Sequence, residues 1–183
     1  MTEPKSPIVR LLSPGEVAPA GTRVILEADA AQRAELARAA DVVSVEALRA
    51  ELLVKPWSGD GFAVTGRVTA RLTQTCVVSL EPMEASVDEE VDVKLVPPEK
   101  MAKYEIEPDE NGEIELDVSA LDVPEPIVDG VLDIGALVVE HFLLGIDPYP
   151  KKPGAVFDPE AVGVGDGREK LSPFAALARL KKE

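Results

Sequence analysis

The sequence predicts an α+β fold: an antiparallel meander sheet, bent and partly barrel-like, packed against one main apolar helix, with an N-terminal helix and a C-terminal tail. Three observations carry this prediction. Between residues 48 and 95 apolar side chains recur at every second position in runs separated by short turns. Residues 134–146 are apolar around nearly the whole circumference of a helix. Beyond residue 150 prolines and glycines replace both patterns. The expected organisation is an N-terminal segment over 1–20, a single α+β domain over 21–149 with an acidic loop at 97–127, and a basic tail over 150–183.

In chain order, a short apolar piece at Ile8 to Leu12 precedes Val24, Ile25 and Leu26, which lead to Asp29. Asp29 is an N-cap with Gln32 in capping-box position, and the alanine-rich run 30–40 has high helix propensity. From Leu48 the period changes to two. Leu48, Ala50, Leu52 and Val54 share one face and Arg49, Glu51, Leu53 and Lys55 the other. Trp57 to Gly61 read as a turn. Phe62, Val64, Val68, Ala70, Leu72, Cys76, Val78 and Leu80 then share a parity broken only by Gly66 and Gln74, opposite a polar face of Thr65, Arg67, Thr69, Arg71, Thr73 and Thr75. A straight strand of that length would exceed about 50 Å, so a bend or bulge is expected near Gly66. After a turn at Glu81 to Glu84, Val87, Glu89, Val91, Val93 and Leu95 alternate with Asp88, Glu90, Asp92 and Lys94, completing a three-stranded meander.

Residues 97–127 contain five prolines, ten acidic residues and two lysines. Within them Asn111-Gly112 is a tight-turn signal followed by the alternating Ile114, Leu116 and Val118, which reads as a loop carrying a short hairpin or edge strand. Asp129-Gly130 gives another turn. Asp133 caps a helix through Ile146, expected to be buried against the sheet. In the tail, Ser172 as N-cap and Pro173 at the first helical position start a short amphipathic helix. Phe174, Leu177, Ala178 and Leu180 form its apolar stripe beside Arg179, Lys181 and Lys182.

Composition narrows the chemistry. One cysteine in 183 residues excludes an internal disulfide framework and a zinc site of four sulfurs, and fits a reducing compartment. The N-terminal MTEPKSPIVRLL has prolines and no apolar run of signal length, and no segment approaches the roughly 18 to 20 apolar residues that cross a bilayer. A soluble, cytoplasmic protein is expected. With 19 basic against 34 acidic residues, net −15, a broad phosphate-binding surface is disfavoured. The imbalance is uneven: residues 1–149 hold 12 basic and 29 acidic side chains, whereas residues 150–183 hold seven and five. Contact with a partner is therefore assigned to the tail, with Lys151, Lys152, Phe174, Leu177, Arg179, Lys181 and Lys182 as candidate binding residues. The tail helix either docks on a partner or packs back on its own domain.

No catalytic assembly is legible. His141, the sole histidine, sits on an apolar helix with no nucleophile signalled nearby. Glu107 to Val118 resemble a calcium loop until position twelve, where Val118 replaces the needed carboxylate. Glu89 and Glu90 point to opposite faces of a strand and cannot share a site, and Asp109-Glu110 read as solvated charge. Cys76 is in phase with core positions, and nothing in the adjacent sequence lowers its pKa. The chain reads as a non-enzyme without cofactor, metal or small-molecule substrate, and a hydrolase using His141 or Cys76 is disfavoured.

A threonine-rich strand ending in TCVVSLEP, a following V-x-E-x-V-x-V strand, an acidic loop, the segment EPIVDGVLDIGALVVEHFLLGIDPYPKKPGA and a terminal PFAALARLK together resemble the YceD-type large ribosomal RNA subunit accumulation proteins, most closely their alphaproteobacterial branch. The resemblance spans about residues 44–183. It implies a non-enzymatic role in accumulation or processing of large-subunit ribosomal RNA and in ribosome assembly, with a large-subunit precursor, its RNA or a basic ribosomal protein, as partner. The alternative reading is an acidic binding protein or chaperone for a basic ribosomal protein. Other branches of the family carry C-x-x-C at the place of Cys76 and Ser79 and further cysteines after the helix, suggestive of zinc. Here Ser79 and DPYPKKPGA stand at those places, so the resemblance makes Cys76 a remnant of a lost metal site.

Overall fold

The computed structural model describes residues 6–104 and 123–157. Its elements run β1 (Leu11–Leu12), β2 (Thr22–Glu27), α1 (Ala30–Ala39), β3 (Ser44–Trp57), β4 (Gly61–Thr75), β5 (Pro82–Val96), β6 (Glu125–Pro126), β7 (Leu132–Asp133) and α2 (Ile134–Leu144), with 3-10 turns at Pro14–Glu16 and Pro98–Lys103. The expected hairpin at Asn111-Gly112, the calcium-loop comparison and the Ser172 helix lie outside the described residues.

The α1 start follows its capping box. Gln32 N–H donates to Asp29 Oδ1 at 2.8 Å and Asp29 N–H to Gln32 Oε1 at 2.9 Å, satisfying donors that the first turn leaves open. β3, β4 and β5 form the expected meander within a five-stranded sheet of order β2-β3-β4-β5-β6. All pairings are antiparallel except β5 with β6. The partly barrel-like form is not found: β2 and β6 occupy the two edges of an open sheet and do not meet.

Of the bend or bulge expected near Gly66, no bulge is found there. Register runs unbroken through Gly66, opposite Leu52 on β3 and Val91 on β5, and shifts between Val45 and Ala47 instead. Gly66 is required for a different reason. Its φ of +152° lies in the glycine region, and a Cβ there would come 2.1 Å from the Glu51 carbonyl oxygen. The β4 strand ends at Thr75, not at Leu80. Residues 76–80 are the turn, closed by Leu80 N–H on the Cys76 carbonyl and Cys76 N–H on the Glu81 carbonyl, both at 2.9 Å. Alternation continued into this turn and placed Leu80 in the core, whereas it is 63% exposed with φ +59°.

One face of the sheet is apolar and buried, including Leu52, Val64, Val68, Leu72, Val87 and Val91. α2 contacts β4, β5 and β1, and its buried residues are Ile134, Gly135, Leu137, Val138, Val139 and Phe142. Burial does not extend round the circumference: Leu143 is 40% and Leu144 72% exposed. Residues 8–12 belong to the same core. Ile8 and Leu12 are buried, β1 pairs with β7, and Gly135 N–H donates to the Arg10 carbonyl. Gly135 permits this approach, since a Cβ would lie 2.4 Å from the Ile8 carbonyl oxygen.

The opposite face carries charge pairs across and along strands. Arg49 bridges Glu27 and Glu51, and Arg67 meets Asp88 at 2.6 Å. These pairs are largely exposed and contribute little stability individually. No helix among the described residues is long and apolar enough to cross a membrane.

Candidate functional site

The β4–β5 turn and the chain leaving α2 are fastened together around Cys76. Gln74, the one buried polar side chain of β4, donates from Nε2 to the Asp147 carbonyl at 2.8 Å. Val77 N–H donates to the Pro150 carbonyl at 2.9 Å. Lys152 N–H reaches Cys76 Sγ at 3.4 Å, and its Nζ meets Glu81 Oε2 at 2.8 Å. A second N–H, from Ser79, also points at the sulfur at 3.4 Å. Four contacts thus join positions more than 70 residues apart, and the exposed apolar side chains Val77, Leu80 and Tyr149 surround them.

The sulfur is buried and receives donors, which favours its charged form. Lys152 N–H is the largest influence, followed by Ser79; together they outweigh burial and lower the thiol from its ordinary 9.0 to about 6. This corrects the expectation that nothing lowers the Cys76 pKa. The largest influence is a backbone donor 76 residues distant, which a linear reading cannot register; the next, Ser79 through its side chain and its N–H, stands three residues on. The thiol is buried, and among the described residues no histidine or carboxylate contacts it as a base. His141 Nδ1 lies 2.9 Å from the Leu137 carbonyl, one turn back on its own helix.

The arrangement does not fit a zinc site. Ser79 presents its N–H to the sulfur where a second thiolate would be needed, and Lys152 does the same from the opposing segment. Among the described residues no group of three or more His, Cys, Asp or Glu side chains could hold a metal ion.

Of the candidate binding residues, Lys151 is exposed beside the fastened turn, whereas Lys152 is engaged by both its backbone N–H and its ammonium group. Phe174, Leu177, Arg179, Lys181 and Lys182 lie outside the described residues.

A family model described as large ribosomal RNA subunit accumulation protein YceD matches residues 64–181, more than half of the 183-residue chain. The chain belongs to the YceD family. The match begins inside β4 and takes in the Cys76 turn, β5, α2 and the Lys151-Lys152 segment, while β1, β2, α1 and β3 precede it. No curated protein and no solved structure matches the chain. The YceD description attaches large-subunit ribosomal RNA accumulation to the family, and the fastened turn lies wholly within the matched part.

Proposed function

We propose that this protein is a non-enzymatic factor, acting in the cytoplasm, that supports accumulation of large-subunit ribosomal RNA during ribosome assembly, through contacts with a large-subunit precursor. The observation that carries the reading is the YceD match over residues 64–181. The chemistry around Cys76 supports the non-enzymatic part, because the one thiol is buried and meets no base among the described residues. In this reading the contacts come from the tail: the exposed Lys151, then Phe174, Leu177, Arg179, Lys181 and Lys182, while Lys152 holds the segment to the Cys76 turn.

Depleting the protein and measuring the ratio of large-subunit to small-subunit ribosomal RNA tests the role. A fall in that ratio is expected, restored by the wild-type chain and equally by a His141→Ala/Cys76→Ala chain. An unchanged ratio overturns the assembly role. Failure of the double variant to restore the ratio, while folded, overturns its non-enzymatic character. The strongly acidic balance of residues 1–149 favours a basic protein over bare RNA as the surface that the body itself meets.

A further inference from the structure

At the end of the sheet opposite the Cys76 turn, a cleft of about 610 Å³ opens between the β3–β4 hairpin tip, the start of the 3-10 turn after β5 and the β6–β7 connection. Its size is that of clefts that accept a few side chains or a small ligand. Four prolines line it, Pro14, Pro56, Pro97 and Pro98, together with the buried Phe62. Proline rings have fixed φ and no N–H. Such a wall is apolar and needs little ordering when something binds against it.

The charged side chains on the lining are Asp60, Glu99 and Asp129, all acidic. Lys100 Nζ meets Asp60 Oδ2 at 2.7 Å and ties the hairpin tip to the segment after β5. Among the described residues, no side-chain ion pair or hydrogen bond engages the carboxylates of Glu99 and Asp129. An apolar hollow rimmed by unmatched carboxylates complements an apolar side chain flanked by cations.

We propose that this cleft docks an extended, lysine- or arginine-rich segment of a partner protein, with an apolar side chain in the proline-lined hollow and cations over Glu99 and Asp129. The inference deepens the proposed role and rests on it for the partner's origin in the large-subunit precursor, though not for the binding chemistry. The chain's own tail, with seven basic against five acidic side chains over residues 150–183 and Lys152 already paired with Glu81, is the weaker electrostatic match. Lys152 is fastened at the Cys76 end of β4, and the cleft lies at its Gly61 end, up to about 45 Å away for a strand of this length. The 22 residues from Lys152 to Phe174 span roughly 75 Å when extended, so reach alone does not exclude the tail, and truncation of the tail separates it from a partner segment.

The test uses the full chain and a short fluorescein-labelled peptide in which one leucine is flanked on both sides by lysines, followed by anisotropy at near-physiological salt. The wild type should bind it. An Asp60→Asn/Glu99→Gln/Asp129→Asn chain should bind at least about tenfold more weakly, and an Asp88→Asn/Glu90→Gln/Asp92→Asn chain, losing the same charge from the outer face of β5, less than about twofold more weakly. Absence of binding by the wild type, or equal weakening by both triple variants, overturns the site in favour of none or of diffuse attraction. A chain ending at residue 170 that binds the peptide at least about tenfold more tightly would make the tail the occupant and overturn the partner assignment. Independently of any variant's folding, peptide addition to the wild type should move the amide resonances of Gly59, Gly61 and Gly130, and shifts confined elsewhere overturn the placement. Peptide binding is read without ribosomes and the ribosomal RNA ratio without the peptide, so either inference can fail while the other stands.

Discussion

Replacing Phe142 by alanine should be the most damaging single truncation on α2, and replacing Leu144, two residues on, should be nearly silent. Phe142 is 0% exposed within the core cluster beneath β4 and β5, while Leu144 is 72% exposed. Phenylalanine to alanine removes on the order of 100–150 Å² of buried apolar surface, worth about 3 kcal/mol at 25 cal/mol/Å², and the residual cavity raises this to about 3–5 kcal/mol. At roughly 2–4 °C per kcal/mol for a domain of this size, the melting temperature should fall by about 6–20 °C. Leu144→Ala should stay within about 0.5 kcal/mol of wild type, the ordinary range for an exposed side chain. Thermal melts of the three chains followed by circular dichroism decide it. If Leu144→Ala falls as far as Phe142→Ala, or neither moves, the assignment of the buried face of α2 is wrong.

Gly66→Ala should lower the urea midpoint by the equivalent of about 3 kcal/mol or more, because a backbone oxygen occupies the place of the new methyl group and the φ is unsuited to alanine; an unchanged midpoint refutes the close approach. The Cys76 thiol has a lower pKa folded than unfolded, so its contribution to stability is fully present above about 9, declines as pH falls, and is lost below about 6. The gap in melting temperature between wild type and Cys76→Ser should therefore narrow from pH 9 to pH 6, and a gap constant with pH counts against the N–H donors to sulfur. Deleting residues 171–183 should leave the melting temperature nearly unchanged while abolishing co-sedimentation with large-subunit precursors; retained co-sedimentation removes the tail from the binding account, and a fall in melting temperature means the segment packs on its own body.

Local rules made parts of this fold legible. The Asp29–Gln32 pair set the start of α1, and period-two alternation gave β3, β4 and β5 with their inward faces, because both signals are carried by residues next to one another in the chain. Leu80 shows where such reasoning stops. Its parity matched the core, but the left-handed φ that closes the Cys76 turn turns it outward, and leucine gives no advance sign of adopting that conformation. The all-apolar pattern of residues 134–146 likewise predicts burial of Leu143 and Leu144, although the sheet covers only one side of α2. The sulfur's two N–H donors and the cleft remained hidden for a common reason. Each is assembled from distant positions, Cys76 with Lys152 and Pro14 with Pro56, Pro97 and Pro98, and no short window contains either set.

The fastening of the β4–β5 turn to the segment after α2 bears on how the protein becomes folded. It closes a loop running from residue 76 to residue 152, a task that zinc–thiolate bonds perform in many small domains. A metal closure ties folding to the metal supply and releases protons as each thiol is engaged. Here the closure consists of backbone donors, one glutamine amide and one lysine–glutamate pair. Among the described residues this closure draws on no metal, so refolding from urea should proceed at the same rate with a chelator present as without it.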